Sequence, residues 1–133
     1  MEWKTDADWQ ASIDENLRMG YTELMILHLV SHRPMYGYEL RSAISRGTNG
    51  AFAFGDSTLY VPLLRMASRG LILPQRVTTV GKRFRTYYHI TELGKRYLAY
   101  GMAQWRLTSA GLQSFFGSSI AEDCSDACQE SIS

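Results

Sequence analysis

Arginines, hydroxyl groups and small residues crowd one stretch of the chain: Gly55-Asp56-Ser57-Thr58-Leu59-Tyr60-Val61-Pro62-Leu63-Leu64-Arg65-Met66-Ala67-Ser68-Arg69-Gly70. At helical spacing, Leu59, Leu63, Met66 and Ala67 share one stripe, while Ser57, Val61, Arg65, Ser68 and Arg69 share the opposite one. Guanidinium groups among small polar side chains hydrogen-bond guanine edges and phosphates, which is the chemistry of a DNA major groove. On that reading Arg65 and Arg69 meet guanines or phosphates, and Ser57, Thr58 and Tyr60 meet phosphates or bases near the helix start. The plain alternative is an ordinary amphipathic helix with a solvated front. A second basic group, Lys82, Arg83 and Arg85, follows at and beside a glycine turn. It is suited to phosphates or a narrow minor groove, against a merely solvated turn. Arg41 is a further candidate for a phosphate contact.

The charge distribution favours the polyanion reading. The formal net charge of the 133 residues is only +1. Residues 33–106, however, carry twelve basic groups against three acids, while residues 1–32 and 107–133 each carry four more acids than bases. A basic middle between acidic ends points to a polyanionic partner. Other chemistries find less support. His28 and His32 are four apart but lack a third ligand nearby, and Cys124 and Cys128 lie in an acidic, serine-rich tail without further partners, so no metal or cofactor is expected. Gly55-Asp56-Ser57-Thr58-Leu59 has the look of a lipase-like serine block, but the Asp-x-x-His pair needed to activate such a serine occurs nowhere, so no catalytic residue is assigned. No apolar run is long enough to span a membrane, and the acidic start lacks the core of a secretion signal. With both cysteines in the tail, a cytoplasmic location is expected.

These groups must be held by a small set of elements. Residues 1–12 read as a flexible N-terminal arm with isolated Trp3 and Trp9. Ile13 to His32 is densely apolar and reads as a buried helix ended by Pro34. A second helix begins in Pro34–Leu40 and runs to about Arg46, with Leu40, Ala43 and Ile44 inward. Gly47-Thr48-Asn49-Gly50 breaks it, and Ala51-Phe52-Ala53-Phe54 is an apolar link able to pair with a later strand. The third helix takes Ser57 or Asp56 as its cap and Gly70 as its stop, which puts Pro62 at the fifth helical position and implies a bent or tightened first turn. Leu71–Thr79 and Phe84–Ile90 form a hairpin around Val80-Gly81-Lys82-Arg83. Three helices followed by a basic-tipped hairpin give a mostly α fold with a small β-hairpin (α+β), a winged helix-turn-helix over residues 13–91. Thr91 caps a last helix over 92–116, where Leu98, Met102, Trp105, Ser109, Leu112 and Phe116 keep a seam for another helix. The expected assembly is a homodimer with Leu98, Met102, Trp105, Leu112 and Phe116 at the interface. Residues 117–133 are expected to form a disordered acidic tail.

The ordered set Met35-Tyr36-Gly37-Tyr38-Glu39-Leu40, Ser57-Thr58-Leu59-Tyr60, Arg65-Met66 before Gly70-Leu71-Ile72, and Arg85-Thr86-Tyr87-Tyr88-His89-Ile90-Thr91-Glu92-Leu93-Gly94 resembles the PadR family of transcriptional regulators across roughly residues 14–107. The resemblance implies a winged-helix repressor that works as a dimer. The single C-terminal helix is similar to the small PadR subfamily, which also includes a cyanobacterial circadian-clock modifier. Two positions depart from the family pattern: Val61 separates Tyr60 from Pro62, and Ala67 stands where the family favours glutamate. Trp105 stands where small PadR regulators place a dimer-centre tryptophan that in some relatives stacks on flat drugs, so the resemblance implies a ligand contact there beside the plainer reading of a core tryptophan. The functional expectation is a sequence-specific regulator of double-stranded DNA, a repressor acting as a homodimer on a pseudo-palindromic promoter site. The alternatives are a winged-helix protein–protein module, or a regulator responding to a small aromatic effector at the dimer interface.

Overall fold

A computed structural model describes residues 2, 4–55, 58–81 and 83–117, excluding the side chains of 14–19. The chain runs α1 (Asp6–Val30), β1 (Met35–Tyr36), α2 (Gly37–Gly47), α3 (Tyr60–Ser68), β2 (Ile72–Thr78), β3 (Phe84–Ile90) and α4 (Glu92–Gly117). It separates into two compact units, with the division after Leu98. Among the described residues, four helices with one small antiparallel sheet give the expected α+β winged-helix fold.

The first helix starts earlier than the apolar pattern suggests. The Asp8 carboxylate accepts the backbone N–H groups of Lys4 and Thr5 at 2.9 and 3.1 Å, and Asp6 and Asp8 both favour the positive end of the helix. Residues 6–12 are therefore helical rather than part of an arm. Caps, not burial, start this helix: Trp9 and Ile13 remain exposed, and the core begins only with Thr22, Ile26, Leu27 and Val30. Ile26, Leu27 and Val30 pack with Met35, Leu40 and Ile44, with Leu59, Leu63 and Met66 of the α3 region, and with Leu71 and Ile72.

The sheet order is β1-β3-β2. Its third strand is Met35–Tyr36, opposite Tyr88 and Tyr87, and not the Ala51–Phe54 link. Asn49 and Gly50 both take positive φ, and the Phe52 N–H donates to the Thr48 hydroxyl at 3.1 Å. This tight reversal engages the link's backbone locally, while the Phe52 and Phe54 rings pack on the core. Pairing by that segment is corrected accordingly. The expected hairpin is present, pairing from Ile72 opposite Ile90 to Thr78 opposite Phe84. Pro74 is accommodated because β2 is an edge strand.

The third helix is shorter than the sequence suggests. It begins at Tyr60 with Leu59 as its cap, and Leu63 makes its first turn-closing bond back to Leu59 at 3.2 Å. Pro62 is thereby the third helical residue, where a missing N–H forfeits nothing, and its expected place deeper in the helix is corrected. Ser57 and Asp56, the expected caps, lie outside the described residues. The stop is as expected: Gly70 has φ +78°, its N–H reaches the Ala67 carbonyl, and the Leu71 N–H reaches the Met66 carbonyl.

The start of α4 is stitched to this stop. The Thr91 hydroxyl lies 2.6 Å from the Gly70 carbonyl oxygen and accepts the Gly94 N–H at 3.0 Å. Gly94 is buried, and an added Cβ would collide with the Leu71 carbonyl oxygen, so only glycine admits this approach. Ser118 and everything after it, including Cys124, Cys128 and the acidic tail, lie outside the described residues.

Candidate nucleic-acid interface

Helix α3 is buried along Leu59, Leu63 and Met66 and exposed along the opposite side. That outer side carries Tyr60, Val61, Leu64, Arg65 and Ser68. Val61 and Leu64 are 61% and 52% exposed, so the front holds aliphatic groups as well as polar ones. Thr58 is exposed just before the helix, its N–H donating to the Gly55 carbonyl at 3.2 Å. Tyr60 stands near Tyr88 of β3, whose phenol is raised first by burial and then by the Tyr60 neighbour. This ties the start of α3 to the sheet.

The two helix arginines are brought together, but through an acid. Arg65 Nε and Arg69 Nη1 lie 3.4 and 3.5 Å from the same oxygen, Oε1, of Glu23 on α1. The other oxygen accepts the Tyr97 hydroxyl of α4 at 2.9 Å. That hydrogen bond raises the Tyr97 pKa, with burial adding to it. Sequence reasoning missed Glu23 and Tyr97. The available signal was that Glu23 is the one acid between Glu15 and Glu39, inside an otherwise apolar helix.

A second group joins α2 to the sheet. The Arg85 guanidinium lies over the Tyr36 ring at 4.4 Å, Tyr36 is nearly parallel to Tyr38 at 6.4 Å, and Arg41 lies over Tyr38 at 5.4 Å. Tyr87 meets Tyr36 edge-on at 5.5 Å, as their cross-strand pairing requires. The structure thus links Arg41 and Arg85, two expected contact residues far apart in sequence, through aromatic rings that fix their planes. Beside them Arg33 holds Glu39 at 2.6 Å, and this hydrogen bond keeps the Glu39 carboxyl below the usual glutamate range against an opposing burial effect. That acid is therefore neutralised within the basic surface.

The strand pair beyond Ile72 is solvent-exposed along β2. Arg76 lies over the Phe84 ring at 4.6 Å, a cation the sequence reading did not single out. At the tip, the Thr79 N–H and hydroxyl both donate to the Arg83 carbonyl, at 2.8 and 3.0 Å, leaving the Arg83 side chain exposed. Lys82 lies outside the described residues. Among the described residues no cluster of three or more potential metal ligands occurs, and no helix is long and apolar enough to cross a membrane.

Residues 26–100 match the Transcriptional regulator PadR-like family. This chain belongs to that family. The matched PadR-like segment runs from the buried end of α1 through the wing to the first turns of α4. A transcriptional regulator from Clostridium thermocellum is similar, with 30% identity and a TM-score of 0.69, covering 75% of this chain and 97% of that one. A PadR family transcriptional regulator from Eggerthella lenta gives 27% identity and a TM-score of 0.69, covering 83% and 94%. Over 88 residues, 65% of this chain and 79% of the relative, the sequence is 36% identical to the uncharacterized protein X of Lysinibacillus sphaericus. PadR-like proteins are DNA-binding transcriptional regulators, not enzymes.

Among the residues expected at a dimer seam, Leu98 packs partly against the core of its own chain. Met102 is half-buried, while Trp105, Leu112 and Phe116 are exposed, as are Leu107 and Phe115.

Proposed function

We propose that this PadR-like regulator is a repressor that binds, as a homodimer, a pseudo-palindromic promoter site. The observation carrying the reading is the exposed front of α3 joined through the Gly70 turn to an exposed strand pair with Arg76, Arg83 and Arg85. Two such helices, about 34 Å apart, enter successive major grooves on one face of a duplex. Thr58 and Tyr60, with Ser57 beside them in sequence, meet phosphates or bases at the helix start. Val61 and Leu64 meet thymine methyl groups. Arg65 and Arg69 meet phosphates or guanine edges at its far end. Lys82, Arg83 and Arg85 grip the flanking backbone or minor groove, and Arg41 adds a phosphate from α2. Occupying the promoter excludes polymerase.

Dimerisation through α4 is supported by the apolar side chains it leaves exposed, with Trp105 at 42% exposure among them. The same exposed indole supports a stacking site for a flat aromatic effector between two copies of α4. Selection of bound duplexes from a random pool at two salt concentrations tests the function. Recovery of a two-fold symmetric site with steep salt dependence is the expected result; salt-insensitive binding, or no enriched sequence, overturns it. Trp fluorescence quenching by planar aromatics tests the effector, and equal quenching by a Trp105→Ala dimer removes it.

A further inference from the structure

Glu23 is largely covered, with 14% of its side chain exposed, whereas Arg65 and Arg69 beside it are about half exposed. The two arginines stand four apart on α3, so their like charges share one helix face and repel unless an anion lies between them. Glu23 supplies that anion through one oxygen only, because Tyr97 occupies the other. Two donors sharing one oxygen at 3.4 and 3.5 Å are longer than the 2.7–2.9 Å typical of charge-assisted hydrogen bonds. The Arg33–Glu39 pair in the same fold closes to 2.6 Å, so the Glu23 contact is the looser of the two. A phosphate oxygen carries the same charge and can replace the carboxylate at both guanidinium groups.

We propose that Glu23 is a positioning residue that latches Arg65 and Arg69 to the body of the fold, so that a DNA phosphate reaching this end of α3 must displace its carboxylate. Tyr97 acts through Glu23 by fixing which oxygen faces the arginines. With the latch closed, the front of α3 is read through Tyr60, Val61, Leu64 and Ser68. The arginines join only when phosphate outcompetes the internal acid, which lowers affinity for DNA of any sequence. This rests on the DNA-binding reading above.

The test measures binding of a random-sequence duplex by fluorescence anisotropy across a potassium chloride series. It compares the wild type with Glu23→Gln, Tyr97→Phe and Glu92→Gln. Glu92→Gln removes the same charge from an exposed glutamate that pairs with Lys95. Glu23→Gln is expected to bind about three- to tenfold tighter than wild type, with a salt slope steeper by up to about one unit. Tyr97→Phe, which changes no charge, moves in the same direction by less, and Glu92→Gln moves less than Glu23→Gln. Equal gains for the two glutamine variants, an unaltered Tyr97→Phe, or weaker binding by Glu23→Gln with a native circular dichroism spectrum each overturn the latch. Hydrogen exchange at Arg65 Nε, slow in wild type and fast in Glu23→Gln, reads the contact without DNA; fast exchange in wild type also overturns it. A wild type with protected Arg65 Nε but no salt-sensitive duplex binding instead overturns the DNA reading, and with it the displacement, while retaining the contact.

Discussion

At the residue scale, the composition of the α3 front decides what it can read. Arg65 and Arg69 lean toward Glu23, so the centre of the exposed face is aliphatic at Val61 and Leu64, flanked by Tyr60 and Ser68. An aliphatic side chain in a major groove distinguishes thymine by its methyl group. Replacing the thymines of a selected duplex by deoxyuridine should weaken binding several-fold, since each methyl withdrawn from water contributes about 0.8 kcal/mol. Leu64→Ala should shrink that penalty. An anisotropy titration with the four combinations checks it, and an unchanged penalty in Leu64→Ala assigns the methyl contact elsewhere. The helical wheel already placed Val61 on the front. It could not show that a carboxylate from α1 draws the arginines aside, because no local pattern links Glu23 to Arg65.

At the element scale, two junctions control the fold and the wing. The first is the approach of α4 to the end of α3, where Gly94 lies against the Leu71 carbonyl. Gly94→Ala should destabilise the domain by about 1–3 kcal/mol through overpacking, seen as a lower thermal unfolding midpoint. Gly111→Ala, with open space around the added Cβ, is the matched control and should leave the midpoint unchanged or raised. The second is the tip of the β2–β3 arm. There the backbone is closed by Thr79, and the Arg83 side chain is left to solvent. Arg83→Ala should weaken duplex binding and flatten the salt slope by about one unit, since one phosphate contact is lost. An unchanged affinity and slope would remove the tip from the interface. Both strands and the Gly70 stop were legible because short apolar runs, turn residues and a helix-ending glycine are local signals. The partner strand at Met35–Tyr36 was not, since two residues are too few to carry a period.

At the scale of the whole molecule, α4 leaves Trp105, Leu107, Leu112, Phe115 and Phe116 exposed. So much apolar surface on one helix supports the proposed dimer interface. Leu112→Glu should convert a homodimer to monomer in sedimentation velocity. It should also cost about 100-fold or more in affinity for a two-fold site, because the second half-site contact ceases to be intramolecular. A variant that stays dimeric would move the interface off this helix. The 4-3-4 spacing marked Trp105, Leu112 and Phe116, which the fold leaves exposed, and also Leu98, which packs against the core of its own chain.

The amino-acid sequence by itself determined the order of the four helices and the hairpin, the buried stripe of α3 and the basic character of the chain's middle. Each of these follows from periodicity, caps or charge within a few residues of chain, where local sterics and side-chain chemistry leave few options. Only the tertiary structure decided which strand completes the sheet, where Pro62 falls in the first turn of α3, why Gly94 must be glycine, and that Arg41 and Arg85 share one aromatic stack while Arg65 and Arg69 share one carboxylate. Those are neighbours across long stretches of chain. Core packing of α1, α2 and α3 brings them together, and nothing in the spacing of a linear sequence encodes which face of one helix will meet a given face of another.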